Sequence, residues 1–424
     1  MRVLILAAGS HGDVAPYTGL GARLRAAGFD VALAAPEGFA GTAERAGLEF
    51  RGLPVDWRAP ARPEAVGREP GGGGGARPGG RGQLMRRAAA FIRELGQGLV
   101  RAAEPGADAL LLSTTTAPLG WHLAEALEVP ALGAYLQPVA PTSAFPPVMS
   151  AGRPLGGWGN RAMGRLAVRV VDRMHAEAAR ELRAGLGLPP VPQGEVRRRV
   201  EGGGWEVLHG FSEVLLPRPA DWRPGLDVVG NWWQWPYCPP GTRLPGELAD
   251  FLDAGPPPVF VGFGSMAAGE GARLAEIAVR ALRAAGLRGV LQAGEAGLAA
   301  AGAAGDDVLD IGEVPHRLLF PRTAAVVHHG GAGTTAAALE AGVPSVPVPV
   351  TADQPFWARR AAALGAAAGP LPYRRLTAES LAGELRRAAG EAGYRARAAR
   401  AAGRMAAEDG AGSVVRRLER MLCP

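Results

Sequence analysis

The chain has 424 residues, 47% of them hydrophobic and 20% charged, with a formal net charge of +6. That is more chain than one ordinary core holds, so two domains are expected, and no run of the roughly 18 apolar residues that span a membrane is present. All 46 basic residues are arginine, which excludes chemistry that needs a lysine amine, such as a P-loop or a Schiff base.

In chain order, Val3–Ala8 reads as a buried strand, Gly9-Ser10-His11-Gly12-Asp13 as a turn, and Leu20, Leu24 and Ala27 carry helical spacing up to Gly28. A strand from Phe29 to Ala35 follows, and this alternation predicts a parallel sheet covered by helices. The run Arg68–Gly82, with five consecutive glycines at 71–75, reads as a surface loop. Ala109–Leu112 and Ala131–Leu136 are two further strands. Arg161, Arg165, Arg169 and Arg173 recur every four residues opposite Met163, Leu166 and Val170, the pattern of an amphipathic helix with a basic stripe. A solvated face is the first expectation for that stripe, and peripheral contact with a membrane surface or an acidic partner the second.

Prolines and the cluster Trp232, Trp233, Trp235 and Tyr237 mark a change of composition. The expected division is therefore an N-terminal domain over 1–216, a linker over 217–240 and a C-terminal domain over 241–424, whose last helix packs back on the first domain. The alternation then restarts, with Val259–Phe263 and Val290–Gln292 as strands and Leu274–Ala285 as a helix. Two such α/β halves enclose a cleft, and ligands of these sheets bind at the carboxyl ends of the strands.

The most informative segment begins with the strand Ala325-Val326-Val327. It continues as His328-His329-Gly330-Gly331-Ala332-Gly333-Thr334-Thr335 and enters a helix expected over Ala336–Ala341. Glycines admit a close backbone approach, and a helix start offers unpaired N–H groups and the positive end of its dipole. Such a turn is built to hold phosphate. The cysteines Cys238 and Cys423 supply neither a disulfide framework nor a zinc site, which suits a cytoplasmic location. The charge is modest and arginines do not alternate with aromatics, so nucleic acid is not an expected partner.

His329-x-Gly331-x-Gly333-Thr334, Gly342-Val343-Pro344 and Asp353-Gln354-Pro355-Phe356-Trp357 together resemble the nucleotide-sugar box of family-1 glycosyltransferases of the GT-B fold. Phe260–Ser265, Gly312–His316 and Gly9–Pro16 extend the resemblance along nearly the whole chain, and it looks closest to bacterial antibiotic glycosyltransferases and sterol 3β-glucosyltransferases. The resemblance implies two Rossmann-like domains facing across a cleft, with the acceptor held by the first and the donor by the second. It implies that His329, Thr334, Ser265 and the backbone of Gly331, Ala332 and Gly333 bind the diphosphate, that Val314 and His316 frame the base, and that Asp353 and Gln354 hold sugar hydroxyls. Asp13 takes the place of the catalytic base, with His11 as its rival or orienting partner. A departing diphosphate builds negative charge that N–H groups, a hydroxyl and imidazole stabilise, and no Asp-x-Asp triplet is present to bridge it through a metal.

The expected activity is inverting, metal-independent transfer of a hexose from a UDP- or dTDP-sugar, the co-substrate, with no resident cofactor. Ala337 stands where plant members carry the glutamate that holds ribose hydroxyls, so the nucleotide stays open. Gln137–Pro147 resembles an acceptor segment of the sterol enzymes, and Phe145, Met149 and Trp158 are its candidate pocket residues for an apolar polycyclic or macrocyclic alcohol. The chain is expected to act as a monomer or homodimer. A nicotinamide oxidoreductase fits worse, since Gly9-x-x-Gly12 is not Gly-x-Gly-x-x-Gly. A nucleotide-sugar epimerase and a catalytically degenerate partner protein of the same fold are the remaining alternatives.

Overall fold

The computed structural model describes residues 1–56, 81–150, 154–234, 241–264, 270–294, 298 and 305–422. The glycine run at 71–75, Trp235, Tyr237 and both cysteines lie outside the described residues. The first half alternates β1 (Arg2–Leu6), α1 (His11–Ala26), β2 (Asp30–Pro36), α2 (Ala40–Arg45), β3 (Glu49–Leu53), α3 (Arg81–Ala103), β4 (Ala109–Leu112), α4 (Ala117–Leu127) and β5 (Ala131–Tyr135). It continues with α5 (Gly156–Gly185), α6 (Gln193–Gly202), β6 (Val207–His209) and β7 (Leu226–Val228). The strands form one sheet in the order β3-β2-β1-β4-β5-β6-β7, every neighbouring pair parallel. Val3, Leu4, Ile5 and Leu6 are fully buried, as a strand covered by helices on both faces requires.

The second half runs α7 (Gly246–Asp253), β8 (Val259–Gly262), α8 (Gly271–Ala285), β9 (Gly289–Gln292), β10 (Val308–Ile311), α9 (His316–Leu319), β11 (Ala325–His328), α10 (Ala332–Glu340) and β12 (Ser345–Pro347). Four helices follow: α11 (Gln354–Ala363), α12 (Ala378–Gly390), α13 (Ala392–Met405) and α14 (Gly410–Leu422). Its five strands are also parallel, in the order β10-β9-β8-β11-β12. The strand order reverses at β1/β4 in one sheet and at β8/β11 in the other, and those two crevices are where a doubly wound sheet accepts ligands.

The halves share packed surface. Val414, Val415 and Leu418 of α14 join Val14, Tyr17 and Leu20 in one buried cluster, and Arg417 pairs with Glu206 and Asp227 beside β6 and β7. Trp232 packs its ring 5.8 Å from that of Tyr17. Phe145 meets Phe356 with ring centroids 5.1 Å apart, and Phe211 meets Trp357 at 5.4 Å. Edge-to-face pairs of this kind add roughly 0.5–1.5 kcal/mol each beyond area burial, so the seam between the halves is held by aromatic contacts as well as by α14.

Candidate active site

The first side of the site is the carboxyl end of β1. The turn predicted at Gly9–Asp13 is shorter than expected, because α1 already begins at His11 and Asp13 lies in its first turn. The reason is local: a serine followed three residues later by a carboxylate closes a helix start on itself. Asp13 Oδ2 accepts from the Ser10 amide at 2.9 Å and the Ser10 hydroxyl at 2.7 Å. Gly9, at φ +142°, lets the chain pass so near that a Cβ there would sit 2.6 Å from Asp13 Oδ2. The other oxygen, Oδ1, accepts from Gln137 Nε2 at 2.8 Å, from the segment directly after β5.

The half-buried Asp13 carboxylate is therefore oriented by Ser10 and Gln137. His11 is exposed beside Phe39, and no hydrogen bond among the described residues joins it to Asp13, whose partners are Ser10 and Gln137. Gln137 was not among the candidate residues. Its position immediately past a strand that neighbours the crevice is the signal that points to it. Thr116 Oγ1 donates to Leu6 O at 2.7 Å and Ser113 N to the same carbonyl at 3.0 Å, which ties the end of β4 to the end of β1 under the site.

The second side is the carboxyl end of β11. Gly331 is the N-cap of α10, so Ala332, Gly333 and Thr334 form its first turn and the helix starts four residues before the expected Ala336. Gly331 makes no side-chain cap, and the first-turn amides point out of the helix start unpaired, as helix geometry requires. Thr335 Oγ1 folds back onto Gly331 O at 2.8 Å, whereas Thr334 is half-exposed beside the free amides.

The His329 ring sits between Gly264 and Gly331: a Cβ at Gly331 would lie 2.5 Å from His329 Nε2, and one at Gly264 would lie 3.4 Å from Cε1. His329 Nδ1 is buried with no hydrogen-bond partner among the described residues, an arrangement that calls for a ligand or water. Burial pushes its pKa down to about 4. His316 stacks on Phe320 at 4.2 Å and is also lowered to about 4, by burial and then by His329. Both imidazoles are neutral at pH 7. Val314 is buried against the core under α9, and Ser265 lies outside the described residues.

Asp353 and Gln354 follow β12 and open α11, and they join the two sides. Gln354 Oε1 accepts the amides of Val350 at 2.9 Å and Thr351 at 3.1 Å, which fixes its carbonyl and leaves the amide nitrogen as the group for a ligand. Asp353 Oδ2 accepts from Trp357 Nε1 at 2.8 Å. Burial raises the Asp353 pKa, the indole hydrogen bond opposes this, and the charge of Asp13 raises it further. The carboxylates of the two halves thus interact across the cleft. Ala352 holds φ +56° just before Asp353, a conformation that costs a non-glycine residue about 1–2 kcal/mol and is tolerated where the surroundings fix it.

The three candidate pocket residues do not share one enclosed site. Phe145 is buried under Phe356 at the seam, while Met149 is 61% and Trp158 88% exposed. The difference lies in what faces each ring: Trp158 is on the side of α5 opposite the buried Asn160, whereas Phe145 meets the aromatic face of α11.

Residues 3–146 match the family described as glycosyltransferase family 28 N-terminal domain, and residues 290–421 match the erythromycin biosynthesis protein CIII-like, C-terminal domain. The chain is 38% identical to O-mycaminosyltylonolide 6-deoxyallosyltransferase of Streptomyces fradiae, over 97% of this chain and 95% of that one. It is 32% identical to sterol 3-beta-glucosyltransferase UGT80A2 of Arabidopsis thaliana, over 88% of this chain and 58% of that longer one. Its fold is similar to that of the glycosyltransferase VinC, solved in complex with dTDP, with a TM-score of 0.69, 20% identity and coverage of 100% and 99% of the two chains.

Proposed function

Since the chain belongs to the family-1, GT-B glycosyltransferases that include antibiotic and sterol enzymes, we propose that it is an inverting transferase independent of metal ions, moving a hexose from a UDP- or dTDP-sugar to a hydroxyl of an apolar natural-product or sterol-like acceptor. The observation that carries this reading is the meeting of three groups at one cleft: the oriented Asp13 carboxylate, the open start of α10 beside His329, and Asp353 within electrostatic reach of Asp13.

In this mechanism Asp13 takes the proton of the acceptor hydroxyl as the oxygen bonds to the anomeric carbon. The bond from that carbon to the diphosphate breaks on the opposite face, so the configuration inverts. The departing oxygens carry growing negative charge, and the amides of Ala332 and Gly333, the Thr334 hydroxyl and neutral His329 donate to it. Asp353 accepts from ring hydroxyls and the Gln354 amide nitrogen donates to them. That pair suits a sugar that keeps hydroxyls on the ring, as glucose and a 6-deoxyhexose both do. Among the relatives, the Streptomyces enzyme moves a 6-deoxyallosyl group and VinC was solved with dTDP, which supports dTDP ahead of UDP.

Calorimetric titration of the purified chain with dTDP, UDP and UDP-glucose, in chelator and in magnesium, tests the reading. One diphosphate is expected to bind equally in both conditions. Binding that needs magnesium would overturn the metal-free cradle, and no binding at all would favour the degenerate partner protein. Transfer to a hydroxylated macrolide or sterol, read by NMR of the anomeric proton, then reports inversion or retention.

A further inference from the structure

Away from the cleft, α5 leaves an unusual surface bare. At about 100° per residue, Leu155, Trp158, Leu166, Arg169 and Arg173 fall on one side of the helix, flanked by Met163, Val170 and Arg165. Asn160, Gly164, Ala178 and Leu182 face the opposite way and are buried. Leu155 is 60% exposed and Trp158 88%, and about half of Leu166 and Val170 is also exposed. Large apolar side chains this exposed along one face of a helix mark a contact site rather than a solvated face.

The charges decide its partner. α5 carries three carboxylates, and each is paired with an arginine of another element: Asp172 with Arg197, and Glu177 and Glu181 with Arg93. Of its arginines, Arg161 pairs with Asp221 and Arg183 with Glu125. Arg165, Arg169 and Arg173 are exposed with no ion pair to any described residue. The bare face therefore combines an indole, aliphatic side chains and unbalanced cations along one helix. An indole settles at the boundary of headgroup and acyl chain, long cationic side chains lie along apolar surface with their heads among phosphates, and aliphatic groups enter below them.

We propose that this face of α5 docks the protein on an anionic lipid surface. Docking uses no residue of the cleft, so it is independent of the transferase reading.

Co-sedimentation of the full chain with phosphatidylcholine vesicles, with and without phosphatidylglycerol, tests it at low and high salt. Binding is expected only to the anionic vesicles and is expected to weaken with salt. The triple variant Arg165→Gln, Arg169→Gln, Arg173→Gln should bind roughly a hundredfold more weakly, since each basic side chain at such a surface contributes about a fivefold effect. Trp158→Ser should weaken binding without changing its salt dependence, and both variants alter only exposed side chains, so thermal unfolding should match the parent. Equal binding to neutral and anionic vesicles, or anionic binding that the triple variant leaves intact, would overturn the proposal. So would absence of vesicle binding together with a dimer in sedimentation velocity that Trp158→Ser dissociates, which would assign the face to a second copy of this chain.

Discussion

Acidification from about pH 8 to about pH 5.5 should cost this protein a large part of its stability, because four imidazoles are held neutral by burial. His209, His316 and His329 lie near 4, and His328 near 3, pushed down by burial first and then by its two histidine neighbours. In the unfolded chain a histidine takes its proton near pH 6.5, so below that value the unfolded state binds more protons than the folded one. Stability therefore falls as pH falls, through the window from about 6.5 toward the folded-state values. At about pH 5.5 each group has forfeited a little over 1 kcal/mol, the worth of one pKa unit, and the four together on the order of 5 kcal/mol.

Asp353 and Glu408 act with the opposite sign. Burial raises both, so the folded state holds their protons at higher pH than the unfolded chain does, and acid returns part of the loss. A net loss remains, a large share of the ~5–15 kcal/mol that stabilises an ordinary protein. Urea unfolding at the two pH values measures it directly. Three of the four histidines belong to the second half, so ligation of the donor cradle by dTDP should protect more strongly than it protects a far site. His329→Asn should flatten the pH dependence by about a quarter. Equal stability at both pH values, or titration of any of these four imidazoles near 6.5 by NMR, would refute the argument that these rings are buried neutral.

Other expectations concern the cleft. Asp13→Asn should reduce transfer by roughly 10²–10⁴-fold, the usual share of a general base, while calorimetry shows the nucleotide bound as before; retained activity would move the base elsewhere. Gln137→Leu removes the hydrogen bond that holds Asp13 Oδ1, so kcat should fall while calorimetry shows free dTDP bound as before. Gly331→Ala places a Cβ 2.5 Å from His329 Nε2 and should displace that ring, weakening dTDP in calorimetry with little change in melting temperature. Trp357→Phe keeps an aromatic at the seam and removes the donor to Asp353, worth about 1.5–3 kcal/mol for a charged acceptor; KM for the sugar nucleotide should rise while the affinity for free dTDP stays unchanged.

What sequence could reveal here follows physical rules. Strands buried on both faces are continuous apolar runs, so β1, β4 and β8 are visible in Val3–Leu6, Ala109–Leu112 and Val259–Gly262. Gly331 and its neighbours announce a helix start because only small residues and free amides suit a phosphate, although the start itself falls earlier than periodicity suggests, since Ala332 and Gly333 carry no amphipathic signal. The partners of those groups were less legible. Gln137 is far from Asp13 in sequence, and only the parallel order β1-β4-β5 brings the ends of these strands to one edge. The fate of Phe145 and Trp158 was equally hidden, because aromatic residues in one segment share composition while burial depends on what a distant helix places over them.

Trp357 shows how the two halves are linked at the level of chemistry. Its ring packs on Phe211 of the first half and on Phe356 beside it, and its indole N–H holds Asp353. Phe356 in turn packs on Phe145. A rotation of one half against the other that separates Phe211 from Trp357 must therefore disturb the Asp353 carboxylate. It also moves Asp353 relative to Asp13, whose charge it feels. Movement of the halves, the hydrogen bond that holds Asp353 and its electrostatic relation to Asp13 are then one coupled variable, because all three pass through a fully buried indole whose displacement by even an ångström would break a hydrogen bond and open a void in a close-packed seam.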